Sequence, residues 1–267
     1  MRVFAGPNGS GKSTIINEIR KIKFNDKPVD FGVYINADDI AFKLRHGKLN
    51  FRDYDIETTP DEFLDIALKS GLVAIENNQK NTQGYAKDEF LRSYTIKGNL
   101  FRLSETGDID KVSQILADFL RQKLLAQKRK FSFETVFSHE SKLDIMRAAK
   151  AQGYKVYLYF VSTNDPKVNE YRVNLRVRQG GHDVPADKIE SRYYRSLDLL
   201  YEAAQIAYQC YFFDNSRESP ESPTGDGADS HCFARFKVID GKKQWTINED
   251  KVPPWFLTYY SQKIPKS

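Results

Sequence analysis

The chain is poor in the residues that staple or anchor a fold. Of its 267 residues, two are cysteine, two methionine and two tryptophan. Two cysteines, Cys210 and Cys232, are too few for a disulfide framework, and neither has a Cys or His partner at metal-ligand spacing. The expectation is one thiol buried in a strand and one at a strand edge, in a reducing cytoplasm. Long apolar runs are also missing. No stretch approaches the roughly 18 uninterrupted apolar residues of a membrane span, and the N-terminus reads as a short strand running straight into a glycine loop, with no signal peptide. A large excess of one charge is absent too: 41 Lys plus Arg stand against 36 Asp plus Glu, a net +5. The two signs are interleaved almost everywhere, so charge alone gives no reason to expect a nucleic-acid partner.

What is present is an ordinary globular composition, 40% hydrophobic and 29% charged. At about 100–200 residues per domain, the length allows one large α/β domain with insertions or two small ones. Arg2 to Ala5 read as a buried strand, followed by a glycine-rich turn and an amphipathic helix carrying Ile15, Ile16, Ile19 and Ile22. Phe31 to Ile35 read as a second strand ending at Asn36-Ala37-Asp38-Asp39, with a helix from Ile40 to Arg45. From Asn50 to Lys130 the pattern is mostly helical, clearest in Asp61 to Ser70 and Val112 to Leu125. The polar stretch Asn77 to Gly107 fits an inserted hairpin or a substrate-covering subdomain.

Further strands are expected at Phe131 to Glu134, Tyr154 to Val161 and Tyr208 to Phe213. Between them the pattern predicts helices at Ser141 to Gln152 (capped by Ser138 or Ser141), Asp165 to Val177 and Ala186 to Ala207. Arg217 to Ser230 collects Pro, Gly, Ser and acids without periodicity and reads as a loop. Cys232 to Ile239 and Lys243 to Ile247 flank Asp240-Gly241, the signature of a β-hairpin. Trp255-Phe256 are expected to dock on the core.

Gly6-Pro7-Asn8-Gly9-Ser10-Gly11-Lys12-Ser13 matches the phosphate-loop pattern G-x-x-x-x-G-K-[ST], with a strand before it and a helix after it, and Thr14 follows. Such glycines let backbone N–H groups converge on phosphate oxygens at a helix N-terminus. Lys12 is placed to reach the β- and γ-phosphates, and Ser13 to ligate Mg2+. The bland alternative is a glycine loop that only caps a helix.

A switch or motor usually carries an aspartate at the end of an apolar strand, whereas Val156 to Val161 runs into Ser162-Thr163. The carboxylates lie elsewhere, as Asp38 and Asp39 after the second strand and Glu134 after the third. In a parallel sheet the carboxyl ends of the strands face one crevice. A kinase acting on a small alcohol needs an acid there to orient the hydroxyl and accept its proton. Helix capping for Asp38-Asp39, and a solvated strand end or an arginine partner for Glu134, are the structural alternatives. Arg172 and Arg176 share a helix face, Gly180-Gly181 breaks the chain, and Arg192 and Arg195 return on the next helix. That layout fits a lid closing over a transferring phosphoryl group, or merely a solvated basic surface. His182 beside the glycines is read as a helix cap or nucleotide contact.

Taken together, Gly6 to Thr14, Asn36-Ala37-Asp38, Phe133-Glu134-Thr135 and the run from Arg172 through Gly180-Gly181-His182-Asp183-Val184-Pro185 to Arg192-Tyr193 resemble the zeta-toxin family of P-loop kinases. The resemblance covers residue 1 to about Ser216. It implies an α/β fold of P-loop NTPase/kinase type, a mostly parallel sheet flanked by helices, and the residue pattern adds a helical insertion at about 50–130. A linker at 217–231 and a C-terminal hairpin and tail at 232–267 would follow. It also implies an ATP- or GTP-dependent kinase phosphorylating a sugar hydroxyl, UDP-N-acetylglucosamine being the family's best-known acceptor. The resemblance puts Asp38 in the place of the family's base and Glu134, with Thr135 beside it, in that of its substrate-binding acid, and the family's two phosphate-clamping arginines fall among Arg172, Arg176 and Arg192. An antitoxin protein is the partner that a toxin reading implies. Phosphorylation of another nucleotide such as NAD, or a nucleotide-gated interaction without catalysis, are the competing expectations.

Overall fold

In the computed structural model, residues 1–74, 85–180, 183–216 and 231–265 are described, and the short apolar runs of the sequence become strands. The chain divides into two compact units, one made of Met1–Asp30 with Glu134–Ser267 and the other of Phe31–Phe133.

The first unit begins with β1 (Arg2–Ala5), whose Val3, Phe4 and Ala5 are fully buried. A strand covered on both faces is what a parallel sheet requires, and this explains the unbroken apolar run. The loop after it leads into α1 (Lys12–Lys21), which buries Ile15, Ile16 and Ile19 on one side.

In the second unit, β2 (Val33–Ile35) runs into α2 (Ala37–Arg45). The N-cap of α2 is Asn36, whose side chain accepts from the Asp38 N–H at 2.9 Å. Capping therefore falls to Asn36, which leaves both aspartates in the first helical turn, where acids suit the helix dipole.

The stretch from Asn50 to Lys130 is less helical than its periodicity suggests. It holds α3 (Pro60–Lys69), α4 (Lys87–Arg92) and α5 (Ile109–Ala126). It also contributes to a small antiparallel sheet of order β3-β5-β4, from β3 (Leu49–Asn50), β4 (Tyr94–Lys97) and β5 (Leu100–Leu103). The reason lies in its aromatic core. Phe63 sits 5.0 Å from Phe119, 5.1 Å from Tyr94 and 5.5 Å from Phe101, ring centre to ring centre. Large rings drawn from helices α3 and α5 and from the hairpin fill one cluster, so the inserted hairpin expected within Asn77 to Gly107 is held by packing. Part of Asn77–Gly107, residues 77–84, lies outside the described residues. β6 (Phe131–Thr135) closes the unit by pairing in parallel with β2, Phe133 opposite Ile35.

Back in the first unit, α6 (Ser141–Ala151) has no side-chain cap from Ser138 or Ser141. Its entry is tied instead by the His139 ring, whose Nδ1 accepts from the Ser141 N–H at 3.2 Å. Then follow β7 (Tyr157–Ser162), α7 (Pro166–Arg178), α8 (Ala186–Asp198), α9 (Leu200–Ile206) and β8 (Gln209–Asp214). The long helix expected over Ala186 to Ala207 is thus two, interrupted at Leu199. With φ −82° and ψ −9°, Leu199 stays right-handed and has no proline or glycine beside it, so apolar periodicity runs through the break.

The hairpin strands β9 (Cys232–Ile239) and β10 (Lys242–Ile247) give the unit's sheet the order β10-β9-β8-β7-β1. β1, β7 and β8 are parallel, whereas β9 and β10 are antiparallel additions. Helix α10 (Pro254–Tyr259) buries Trp255 and Phe256, and Phe256 lies 4.9 Å from Phe212 of β8. Cys210 is buried and Cys232 half-buried, and neither is in a disulfide. The loop expected at 217–231 falls outside the described residues apart from His231. Among the described residues no helix is long and apolar enough to cross a membrane.

Candidate functional site

The loop from Gly6 to Gly11 is shaped by close backbone approaches. A Cβ on Gly6 would lie 2.0 Å from the Val161 carbonyl oxygen, and one on Gly9 2.4 Å from the Asn169 carbonyl oxygen, with φ at +147° and +73°. Only glycine fits such positions. At the helix entry Gly11 is left-handed and supplies no side-chain cap, so no side chain from the cap position engages the first N–H groups of α1.

Lys12 is buried, and its ammonium donates to the Pro7 carbonyl at 3.0 Å while standing 3.9 Å from a Glu134 carboxylate oxygen. The Ser13 hydroxyl donates to the same Glu134 oxygen at 3.5 Å. Lys12, Ser13 and Glu134 are therefore brought together, although 121 residues separate Ser13 from Glu134. The hydroxyl of Thr135 accepts from the Phe137 N–H at 3.1 Å and closes the turn that follows. Thr14 lies exposed in the first turn of α1.

Two amides that sequence reasoning missed hold the loop. Asn169 of α7 is fully buried; its Nδ2 donates to the Asn8 carbonyl at 2.6 Å, and its Oδ1 accepts from the Thr163 hydroxyl. Asn215, just past β8, donates from Nδ2 to the Ser10 carbonyl at 2.9 Å. Its own carbonyl accepts from Arg172 Nη1 at 2.9 Å. A signal for Asn169 was present, since it precedes Arg172 by three and Arg176 by seven, which places all three along one helix face. For Asn215 there was only its place at a strand's carboxyl end.

Of the other arginines, Arg176 is exposed on α7, and Arg192 is half-buried on α8. Burial, helped by the nearby Arg195 charge, holds the Arg192 guanidinium below its ordinary pKa. The next residue, Tyr193, donates to the Thr163 carbonyl at 2.6 Å, tying α8 to the end of β7. Gly181 and His182, half of the expected hinge, lie outside the described residues. Asp38 belongs to the second unit, exposed in the first turn of α2.

Ser10 is fully buried, yet its hydroxyl has no hydrogen-bond partner, and neither has the Asn8 amide oxygen. Orphaned polar atoms inside a glycine loop suit a site that a ligand completes. Among the described residues no group of three or more His, Cys, Asp or Glu is arranged to hold a metal.

A family model described as AAA domain matches residues 2–180. The chain belongs to the AAA domain family. The AAA match takes in the loop, Asp38, Glu134, Asn169, Arg172 and Arg176, and stops short of Arg192 and Asn215. A protein of Haemophilus influenzae described only as uncharacterized is 33% identical over 63 residues, which is 24% of this chain and 45% of that protein.

Among solved structures, the AvrRxo1-ORF1:-ORF2 complex with ATP superposes with a TM-score of 0.52 at 13% identity. It covers 100% of this chain and 64% of that one. A native form of the same complex gives 0.51 at 14% identity over 94% and 61%. The chain thus spans less than two thirds of the solved chain whose fold it shares. A structure from the PezAT chromosomal toxin-antitoxin system of Streptococcus pneumoniae reaches 0.44 at 15% identity, over 86% of this chain and 74% of that one.

Proposed function

We propose that this chain is a small-molecule phosphotransferase of zeta-toxin type, using ATP or GTP to phosphorylate an alcohol, with a kinase domain spanning 1–216. The observation that carries the reading is the convergence of Lys12, Ser13 and Glu134 in a loop fixed by its glycines. A loop that only capped a helix would not need a carboxylate against both its lysine and its serine.

In this reading the loop amides and Lys12 hold the triphosphate, and Lys12 gives up its contact with Pro7 to do so. Magnesium bound beside Ser13 would neutralise charge on the β- and γ-phosphates. Glu134 orients the acceptor or a water on the metal, with Thr135 beside it. Asp38 accepts the proton of the acceptor hydroxyl as the phosphoryl group transfers. Arg172, Arg176 and Arg192 stabilise the charge of the transferring group. The low pKa direction of Arg192 reflects a poorly solvated cation, which an incoming phosphate would relieve.

The sugar hydroxyl of UDP-N-acetylglucosamine is the acceptor that the zeta-toxin resemblance favours, and an antitoxin is the partner it favours, in a cytoplasmic setting. That the AvrRxo1 complex was solved with ATP is consistent with the nucleotide assignment. The test is incubation with γ-labelled ATP, magnesium and a panel of sugar nucleotides and dinucleotides. A labelled sugar nucleotide supports the reading, and a labelled NAD moves the acceptor to another nucleotide. No labelled product, together with nucleotide-dependent complex formation, would replace the kinase with a nucleotide-gated interaction protein.

A further inference from the structure

We propose that Asn169 and Asn215 are positioning residues that couple Arg172 to the state of the phosphate loop. The inference rests on the reading that the loop takes a nucleoside triphosphate.

The two amides grip opposite ends of the loop's crown. Asn169 reaches Asn8, and its own backbone carbonyl blocks the side-chain direction of Gly9; Asn215 reaches Ser10, and its Nδ2 would lie 2.1 Å from a Cβ on Gly11. Neither amide can stay in place if Asn8 to Gly11 shift.

Each amide is also fixed from behind. Thr163 donates its hydroxyl to Asn169 Oδ1, and the Thr163 carbonyl in turn accepts from Tyr193. The Asn215 N–H donates to the Ser162 carbonyl at 2.8 Å. Its neighbour Asp214 accepts at one oxygen from Trp255 Nε1 at 3.0 Å and from the Ser216 hydroxyl at 2.6 Å.

Arg172 connects to both supports. It lies one helical turn beyond Asn169 on the same face of α7, and its guanidinium donates to the Asn215 carbonyl. A loop that tightens around phosphates pulls on both of Arg172's supports at once. That arrangement lets the arginine respond to an occupied loop, and so favours a triphosphate, with a γ-phosphate for the arginine to meet, over a diphosphate.

The ratio of MgATP to MgADP affinity, measured by calorimetry on the full chain, tests this. Arg172→Ala should lower the ratio about tenfold, the worth of one hydrogen bond to a charged group. Asn169→Ala and Asn215→Ala should each lower it several-fold, and adding Asn215→Ala to Arg172→Ala should lower it no further. A merely structural role would weaken both nucleotides in parallel and leave the ratio where it was, which would overturn the coupling. Should the asparagine variants fail to fold, Thr163→Val and Thr163→Ser decide, because only the second keeps the hydroxyl that orients Asn169. The ratio must fall in the first and recover in the second, and equal ratios would overturn the coupling. A wild-type chain that binds no ATP, or an Arg172→Ala variant with an unchanged ratio, would instead overturn the reading of the site and the coupling with it.

Discussion

Lys12 and Glu134 stand 3.9 Å apart, both shielded from solvent, and the same Glu134 oxygen accepts from Ser13. Lysine, serine and carboxylate thus meet beside the glycine loop. Replacing Glu134 with Gln removes the charge and keeps the shape. ATP binding should stay within a few-fold of wild type, while transfer falls about 100-fold or more, the usual worth of a positioned acid or base. Lys12→Ala should lose both, because in the proposed site its ammonium is the cation that meets the triphosphate. Calorimetry and single-turnover phosphate transfer read the two effects separately.

Gly9→Ala should damage the loop without touching any side chain of the site. The added methyl meets the Asn169 carbonyl at 2.4 Å, and the residue would keep a φ of +73°. A cost of about 1–3 kcal/mol is expected for such strain, visible as a lower melting temperature and weaker ATP binding.

In the second unit Phe63 packs against Phe51, Phe90, Tyr94, Phe101 and Phe119. Truncation to alanine should cost about 3–5 kcal/mol of unfolding free energy by urea titration. The same cluster buries Tyr94 and pushes its phenol pKa up to about 12, so a spectroscopic titration of native protein should show this tyrosine ionising late.

Stability should also fall on the acid side through Glu62. Burial works to raise its pKa, but hydrogen bonds from Lys123, at 2.5 Å, and Thr58 together hold it below the ordinary 4.5. A carboxyl whose folded pKa lies below its unfolded value adds stability above the unfolded pKa, and the gain disappears as pH drops through the folded one. Glu62→Gln should flatten that part of the melting temperature against pH curve and leave the neutral side parallel to wild type.

Much of this was legible in the sequence, and the boundary has a physical cause. The loop, its strand and its helix are written in twenty adjacent residues, Arg2 to Lys21, and the Asp240-Gly241 hairpin in sixteen, Cys232 to Ile247. The contacts of the loop's supports were not legible, although the helical spacing of Asn169 to Arg172 and Arg176 was. Asn169 and Asn8 are 161 residues apart, and Asn215 and Ser10 are 205 apart, so no local pattern joins them. The break at Leu199 carries no glycine or proline, and the α2 cap went to Asn36 because an asparagine at a strand end competes equally well with the aspartates after it. The hairpin Tyr94–Leu103 is one of the two forms expected for Asn77 to Gly107, but its exact strands were not legible because its rings pack against helices remote in sequence.

The most direct test of the central claim is phosphoryl transfer from γ-labelled ATP by wild type and by Asp38→Asn, with ATP affinity measured on both. The account predicts a labelled acceptor with wild type, transfer lost by at least about 100-fold in the variant, and ATP affinity unchanged within a few-fold. An Asp38→Asn variant that transfers at the wild-type rate would contradict it.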